Sequence, residues 1–281
     1  MHLTNEEFNT LVSLDAKETI TDLNAQTKLV ELGYVNEEGL VSQAGYDYLE
    51  PHRIKRAIFV AAGFGSRLVP LTLEKPKPLI KVHGKRIIDG AIDAVLELGI
   101  TDITLIRGYK KECMDELLKD YPMIKFVDND DYDVANNISS LHLVKDQLSG
   151  SYVIESDLVL YNPKILKKYA RQSHYLSIPV DETDDWCFEV EDDRIVSVSI
   201  GGTNTHQMVG ISYWNEVDGK SLSHDIGDFY SKEANHNRFW DEVSLIDYKD
   251  NYDIGVNNVS FSDIIEIDTY DELKEIDSSY Q

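Results

Sequence analysis

The feature that most constrains this chain is a glycine-rich loop that follows a short apolar run. The run covers residues 57–62 and is fit for a buried strand. Residues 63–67 then read GFGSR, and the two glycines carry no Cβ, so the backbone can turn tightly and approach a ligand. Backbone N–H groups in such a loop bind anions, and the guanidinium of Arg67 adds donors suited to phosphate oxygens. The sequence therefore predicts a strand that ends in a phosphate-binding loop.

Lys77 supplies a second cation close to this loop. It lies between Pro76 and Pro78, which stiffen the backbone on both sides, so its charge can meet a phosphate at a fixed place. The loop is not of the Walker type, because no Gly-Lys-Ser or Gly-Lys-Thr closes it. Leu68 stands where the dinucleotide-binding fingerprint requires its third glycine, which excludes that class as well.

The segments after the loop alternate between helical and strand patterns. Apolar spacing predicts helices over 87–99 and 110–121 and buried strands over 103–106 and 124–127. This alternation implies an α/β fold with a mostly parallel sheet, whose ligands bind at the carboxyl ends of the strands. Gly108 and Tyr109 follow one of these strands, so they are candidates for contact with a nucleotide base, and a plain strand-end turn is the alternative.

Two further strands end in carboxylates. A strand over 152–158 carries Asp157 near its end, and a late strand over 264–268 ends at Asp268. An acid at a strand tip packs poorly but suits a hard cation, so both are candidate ligands of one Mg²⁺. Capping is the alternative for Asp268, which precedes a helix over 270–276. Capping is also the interpretation of the Asn136-Asn137 pair, at the start of a helix predicted over 138–148.

The three tryptophans lie beside acidic or aromatic residues. Asp185 precedes Trp186, Tyr213 precedes Trp214, and Asp241 follows Trp240. Aromatic faces and carboxylates can enclose a quaternary ammonium, an arrangement worth about 2 kcal/mol or more when the cation is desolvated. Tryptophans are more often ordinary core or interface residues, and the sequence pattern leaves both interpretations open.

Composition and charge exclude several other classes. Of the 281 residues 42% are hydrophobic, which supports a packed core, and no apolar run is long enough to span a membrane. The formal net charge of −24 argues against a nucleic-acid partner, because phosphate backbones attract positive charge. The start of the chain does not resemble a secretory signal, and two cysteines make no disulfide framework, so we expect a cytoplasmic location.

Residues 1–54 are predicted to form a small unit of their own, ahead of a large domain over 55–281. Thr4, with Glu7 three residues on, predicts a helix start, and a second helix ends near Gly33. A hairpin turn and a last short helix complete a pattern similar to a truncated winged helix-turn-helix. The unit holds three Lys or Arg against ten Asp or Glu, so a packing role is preferred over DNA binding.

Residues 55–281 resemble the bacterial CTP:phosphocholine cytidylyltransferases, a branch of the nucleotidyltransferases. The matching segments, in the same order, are AAGFGSRLVPLT from Ala61, Pro76-Lys77, Arg107-Gly108-Tyr109, Asn136-Asn137, Ser156-Asp157, Asp185-Trp186, Tyr213-Trp214, Trp240-Asp241 and Ile265-Glu266-Ile267-Asp268. The resemblance implies a Rossmann-like nucleotidyltransferase fold with a mostly parallel central sheet. One departure is Glu155-Ser156-Asp157-Leu158, where that family more often has Asp-Ala-Asp-Asn, so a metal-side or ribose contact is expected to differ.

The resemblance also implies roles for individual residues. Lys77 would contact the α-phosphate of CTP and Arg67 the β- and γ-phosphates, while Asp157 and Asp268 would hold Mg²⁺. The implied nucleotide-binding residues are Ala61, Ala62, Gly63, Phe64, Gly65, Ser66, Gly108 and Tyr109. The implied choline-binding residues are Trp186, Tyr213, Trp214, Trp240 and Asp241.

The expected reaction is transfer of CMP from CTP to phosphocholine, which gives CDP-choline and pyrophosphate. The acceptor phosphate is largely dianionic near neutral pH, because its second pKa is about 6, so no general base is required. Two alternatives stay open. One is a transferase for a sugar 1-phosphate or phosphoethanolamine, and the other is a regulator that binds DNA and senses a nucleotide. No membrane partner is expected, and the oligomeric state is left open.

Overall fold

A computed structural model describes residues 2–281 and divides the chain into two units. The first unit comprises the chain up to Ile54 together with Lys167–Arg171, and the second comprises Lys55–Leu166 and Gln172–Gln281. Residues 167–171 lie in the first unit, whereas the sequence predicted a single boundary after residue 54. Within residues 2–281, no helix is both long enough and apolar enough to cross a membrane.

Three helices form most of the first unit: α1 (Asn5–Asp15), α2 (Leu23–Glu31) and α3 (Gln43–Leu49). The predicted start of α1 is confirmed as a capping box, in which the Thr4 hydroxyl accepts from the Glu7 N–H and the Glu7 carboxylate accepts from the Thr4 N–H. An isolated antiparallel bridge joins Val35 to Val41. The likeness to a winged helix-turn-helix stays a prediction.

The second unit contains the remaining helices and all of the strands among the described residues. In chain order the strands are β1 (Arg56–Ala61), β2 (Lys81–Val82), β3 (Lys85–Arg86), β4 (Asp102–Arg107), β5 (Lys125–Asp128), β6 (Ser151–Glu155), β7 (Leu158–Leu160), β8 (His174–Glu191), β9 (Arg194–Trp214), β10 (Gly255–Asn258) and β11 (Ile264–Glu266). The helices are α4 (Asp89–Glu97), α5 (Ile138–Val144), α6 (Glu216–Tyr230) and α7 (Tyr270–Ile276).

Seven strands form one mixed sheet in the order β10-β8-β9-β6-β1-β4-β5. β1 lies between β4 and β6 and is parallel to both, and β5 is parallel to β4. The predicted mostly parallel α/β sheet is therefore confirmed, with β9 as the antiparallel exception beside β6 and β8. In register, Val60 pairs with Glu155 and Ala61 with Arg107, so the carboxyl ends of β1, β4 and β6 meet at one edge.

Three predicted elements differ from the observed ones. The helix predicted over 110–121 is shorter and of the 3₁₀ type, Lys111–Lys119. The helix predicted over 138–148 ends at Val144 and continues only as a short 3₁₀ turn. The strand predicted over 152–158 breaks after Glu155, and β7 leaves the large sheet to pair antiparallel with β11. This break brings Asp157 beside β11, where its carbonyl accepts a hydrogen bond from Ile267 N–H over 3.0 Å.

Candidate active site

A cavity of about 480 Å³ opens at the carboxyl ends of β1 and β6. This volume is in the range of small-molecule sites, and the position is where parallel α/β sheets bind ligands. The wall residues that bear on its chemistry are Gly63, Gly65, Arg67, Lys77, Asn137, Glu155, Asp157, Asp185, Trp186, Phe239, Asp241, Glu266 and Asp268.

The glycine-rich loop forms one wall of this cavity. Gly65 has φ +66°, in the left-handed region, and a Cβ there would lie 3.2 Å from atoms of Lys77 and Thr72. Backbone conformation and close approach therefore both require glycine at this position. Of the predicted nucleotide-binding residues in this loop, Ala61, Ala62, Gly63 and Gly65 line the cavity, whereas Phe64 and Ser66 do not.

Gly108 and Tyr109 support the loop rather than the cavity wall. A Cβ on Gly108 would come within 2.7 Å of Tyr132 and 2.8 Å of the Ala62 carbonyl oxygen. Tyr109 donates its N–H to that carbonyl, and its ring packs on Phe64 with the ring centroids 4.6 Å apart. The alternative interpretation, a strand-end turn, therefore describes these residues better than base contact. The residues that line this part of the cavity instead are Asn129, Tyr132, Ser139 and Ser140.

Three carboxylates converge opposite the loop. Asp157, Glu266 and Asp268 each offer an oxygen within 4.8 Å of the others, and these three residues are called the acidic cluster. The sequence predicted Asp157 and Asp268 but missed Glu266, although the two-residue spacing from Glu266 to Asp268 along an extended segment was a signal for one shared face. The proposal that Asp268 is only a helix cap fails, because the Thr269 side chain caps α7.

Lys77 and Arg67 hold these carboxylates. Nζ of Lys77 lies 3.0 Å from Asp157 Oδ2 and 3.1 Å from Asp268 Oδ1. Nη2 of Arg67 lies 2.9 Å from the same Asp268 oxygen. Burial alone would lower the pKa of Lys77, but the charges and hydrogen bonds of the two aspartates outweigh burial and raise it. Lys77 is therefore held as a charged ammonium inside the acidic cluster.

The acidic cluster fits a divalent cation. Its donors are carboxylate oxygens, the ligands that Mg²⁺ prefers. Oδ1 of Asp157 is buried and has no hydrogen-bond partner among the described residues, which leaves it available to a cation. Partial removal from water, followed by the charges of Asp157 and Asp268, raises the pKa of Glu266 well above its usual value. A bound cation would relieve this crowding of like charges.

A second group of residues lines the far part of the cavity wall with aromatic rings and acids. Trp186 and Phe239 meet edge to face with ring centroids 5.7 Å apart, and Phe239 is 41% exposed. Asp185 and Asp241 line the same cavity. Burial raises the pKa of Asp241 to about 7, against the opposing effect of a hydrogen bond from the Tyr175 hydroxyl. These walls suit the apolar body and positive charge of an organic cation.

The predicted tryptophan cage is only partly present. Trp214 is fully buried, and its indole N–H donates to the Ser212 hydroxyl, so it belongs to the core and does not line the cavity. Tyr213 is also buried on β9, against Tyr152. Trp240 is 2% exposed and lies behind the wall. These three rings belong to the apolar core, because they lie on strand β9 or pack against it. Burial of such large apolar surfaces is favourable.

Glu155 and Asn137 extend the site in a way that the sequence analysis did not predict. Asn137 makes no capping hydrogen bond on α5, so the capping interpretation is wrong. Its amide Nδ2 donates to Glu155 Oε1 over 3.3 Å, and the Trp240 indole N–H donates to the same oxygen over 3.2 Å. Burial, followed by the charges of Asp157 and Asp241, raises the pKa of Glu155 well above its usual value.

A glycine-rich loop at the end of a strand in a mostly parallel α/β sheet, facing carboxylates that can hold a metal ion, is typical of enzymes that act on nucleotides. A sequence profile of the Nucleotidyl transferase family matches residues 56–174. A 2-aminoethylphosphonate cytidylyltransferase of Lancefieldella rimae is 35% identical over 228 residues, which are 80% of this chain and 92% of that protein. The chain therefore belongs to the nucleotidyl transferase family and is a nucleotidyltransferase enzyme.

Two further comparisons agree with this assignment. A choline-phosphate cytidylyltransferase of Streptococcus pneumoniae is 30% identical over 223 residues, which are 79% of this chain and 96% of that protein. The solved structure of CTP:phosphocholine cytidylyltransferase from the same species superposes with a TM-score of 0.75 at 31% identity, over 82% of this chain and 100% of that one.

Proposed function

We propose that the protein transfers CMP from CTP to a small amine that carries a phosphate or phosphonate group. The observation that carries the proposal is one cavity with two chemically different walls. The glycine loop, Lys77 and the acidic cluster suit a nucleoside triphosphate with its metal ion, and Trp186 with Asp241 suits an organic cation. The similarity to cytidylyltransferases of two phosphorus-bearing amines supports CTP as the donor.

The proposed chemistry is an in-line displacement. An acceptor phosphate or phosphonate oxygen attacks the α-phosphorus of CTP, a new P–O bond forms, and pyrophosphate leaves with the electron pair of the broken bond. Lys77 stabilises the charge on the α-phosphate and Arg67 that on the leaving phosphates, while the backbone N–H groups of the loop orient the triphosphate. Bound by Asp157, Glu266 and Asp268, Mg²⁺ would supply further neutralisation of phosphate oxygens.

Two acceptors fit this proposal. Phosphocholine is the acceptor expected from the sequence, and the aromatic pair Trp186 and Phe239 favours it, because methyl groups pack on ring faces. 2-Aminoethylphosphonate is favoured by the 35% relative and by the position of Trp214, which is in the core rather than in a cage. A sugar 1-phosphate gives the acids Asp185 and Asp241 no cation to bind, so it is the weaker alternative.

Pyrophosphate release from the purified protein with Mg²⁺ tests the proposal. Four nucleoside triphosphates are crossed with phosphocholine, phosphoethanolamine, 2-aminoethylphosphonate and glucose 1-phosphate. Turnover confined to CTP with amine acceptors is the expected result. Turnover with glucose 1-phosphate alone would rule out an amine acceptor, and no turnover with any pair would overturn the proposed function.

A further inference from the structure

The cavity contains a carboxylate that the proposed reaction does not use. Glu155 is the last residue of β6, and its side chain lies against Gly210 of β9. A Cβ on Gly210 would come within 2.9 Å of the Glu155 Cβ and Cγ atoms, tighter than real Cβ contacts allow. The missing side chain at residue 210 therefore leaves room for this acid at the cavity wall.

Two neutral donors hold one oxygen of this carboxylate. The Asn137 amide and the Trp240 indole both donate to Oε1, over 3.3 Å and 3.2 Å. Asn137 is itself fixed, because its Oδ1 accepts the Trp240 backbone N–H over 3.0 Å. The arrangement orients the carboxylate and leaves Oε2 as the oxygen that a ligand in the cavity can reach.

Glu155 forms no ion pair within the part of the chain that the structure describes. Across residues 2–281, Lys77 pairs with Asp157 and Asp268, and no ion pair reaches Glu155. Asp185 and Asp241 line the same cavity, and neither forms an ion pair with another residue of 2–281. A carboxylate removed from water is costly unless it is both hydrogen-bonded and paired with a cation. A cationic ligand would supply the missing charge and favour the ionised form of Glu155.

We infer that Glu155 determines acceptor specificity by binding the ammonium group and favours a primary ammonium over a quaternary one. This inference rests on the proposed function. A primary ammonium has three N–H donors and can bond directly to Oε2. A trimethylammonium has no donor and keeps its charge behind methyl groups, so it gains less from a fixed carboxylate oxygen. Trp186 and Phe239 offer apolar contact to either.

Matched acceptor pairs test the inference. Phosphoethanolamine and phosphocholine differ only in three N-methyl groups, and 2-aminoethylphosphonate is compared with its N-trimethyl analogue in the same way. For each pair, the ratio of kcat/KM for the primary amine to kcat/KM for the trimethyl amine is measured at saturating CTP. Glu155→Gln is expected to lower this ratio about 10- to 100-fold, the range for a lost hydrogen bond between charged groups.

Two further variants keep the result interpretable. Trp240→Phe removes one N–H that orients Glu155 but keeps the carboxylate, so we expect a smaller fall of the ratio in the same direction. Glu189→Gln on β8 makes the same chemical change at an exposed carboxylate that accepts from Ser197, and we expect no change in the ratio. The ratio compares two substrates of one preparation, so loss of folded protein cancels.

Three outcomes would speak against the inference in different ways. An equal loss of kcat/KM for both members of each pair would mean that Glu155 supports the fold or the metal site and does not bind the ammonium group. A higher kcat/KM of the wild-type protein for the trimethyl member would show that the carboxylate does not select for N–H donors. Absence of turnover with every amine acceptor would instead overturn the proposed function, and the inference would fall with it.

Discussion

Lys77 contacts two of the carboxylates that we propose as ligands of a metal ion. Its Nζ bonds to Asp157 and Asp268, two of the three carboxylates that converge in the cavity. A metal ion and an ammonium compete for the same oxygens, because each is stabilised there by the same negative charge. Transfer of Lys77 from these carboxylates to a phosphate of the nucleotide would resolve this competition when the metal arrives with the nucleotide.

Lys77→Met tests this competition at the level of one residue. In the nucleotide-free protein we expect the variant to bind Mn²⁺ about tenfold more tightly, because a like charge within a few ångströms of the ion is removed. Turnover with CTP should fall by about 100-fold or more, since a charge aimed at the transferring phosphoryl group is lost. Electron paramagnetic resonance of free Mn²⁺ measures the binding and pyrophosphate release measures turnover.

Lys75→Met is the matched control for that variant. Lys75 is exposed two residues away, so neither Mn²⁺ affinity nor turnover should change. Unchanged Mn²⁺ affinity in Lys77→Met would mean that Lys77 leaves the carboxylates without cost and does not compete with the metal.

Individual site residues were predictable where strand geometry decided their place. Asp157 and Asp268 follow apolar strand segments, so their convergence could be expected from the sequence. Asn137 could not be assigned correctly from the sequence. The local pattern is the same whether its side chain caps a helix or bonds to Glu155, which lies 18 residues further along the chain. Local sequence reports backbone preference, whereas the partner of a polar side chain is set by tertiary packing.

Among the elements, α6 packs through a glycine that local propensity alone would disfavour. A Cβ on Gly219 would lie 2.6 Å from Ser149 Cα and 2.7 Å from Ser149 N, so the helix approaches backbone directly at this point. Gly227, two turns further along α6, would meet only the flexible end of Lys145 at 3.6 Å. Substitution of glycine by alanine at these two positions therefore separates the effect of close packing on stability from the effect of helix propensity.

Gly219→Ala is expected to lower the free energy of unfolding by about 1–3 kcal/mol, because the backbone of residue 149 cannot yield as a side chain can. Gly227→Ala should raise it by up to about 1 kcal/mol, the gain in helix propensity of alanine over glycine. Urea unfolding followed by circular dichroism measures both. A similar effect of the two substitutions would contradict the close approach of α6 to residue 149.

Element types were predicted better than element partners. The apolar run that became β1 and the helix α4 follow directly from spacing, because burial on one or both faces leaves a periodic pattern. The break after Glu155 was missed, since the apolar residues of β7 continue the pattern of β6. Pairing of β7 with β11 depends on a segment about a hundred residues later in the chain, and local patterns carry no information on such long-range partners.

At the scale of the whole molecule, acidity shapes what the cavity can bind. The chain carries 51 Asp or Glu against 27 Lys or Arg, so its general field repels a nucleoside triphosphate and a phosphorylated acceptor. The cavity counters that field locally with Arg67 and Lys77, and a divalent cation would add to them. An ammonium on the acceptor is favoured by the same field, which links the charge of the chain to the proposed acceptor class.

A buried histidine away from the cavity contributes to the pH dependence of stability. His174 on β8 is 6% exposed, and its Nδ1 donates to the Gln172 carbonyl over 3.0 Å. Burial lowers its pKa to about 4, against an unfolded value of about 6.5. Between these two pH values the unfolded chain binds a proton that the folded protein does not, so the free energy of unfolding falls as the pH falls from 6.5 towards 4.

His174→Asn removes this titration and keeps a side-chain N–H for the Gln172 carbonyl. From pH 6.5 to pH 5 we expect the wild-type protein to lose about 1.5 kcal/mol more of its free energy of unfolding than the variant does, as linkage of one proton requires. Urea unfolding at both pH values gives the difference, in which contributions of all other groups cancel. His2→Asn, at an exposed histidine, should lose as much as the wild type. Equal losses in wild type and His174→Asn would mean that His174 accepts a proton inside the folded protein as readily as in water.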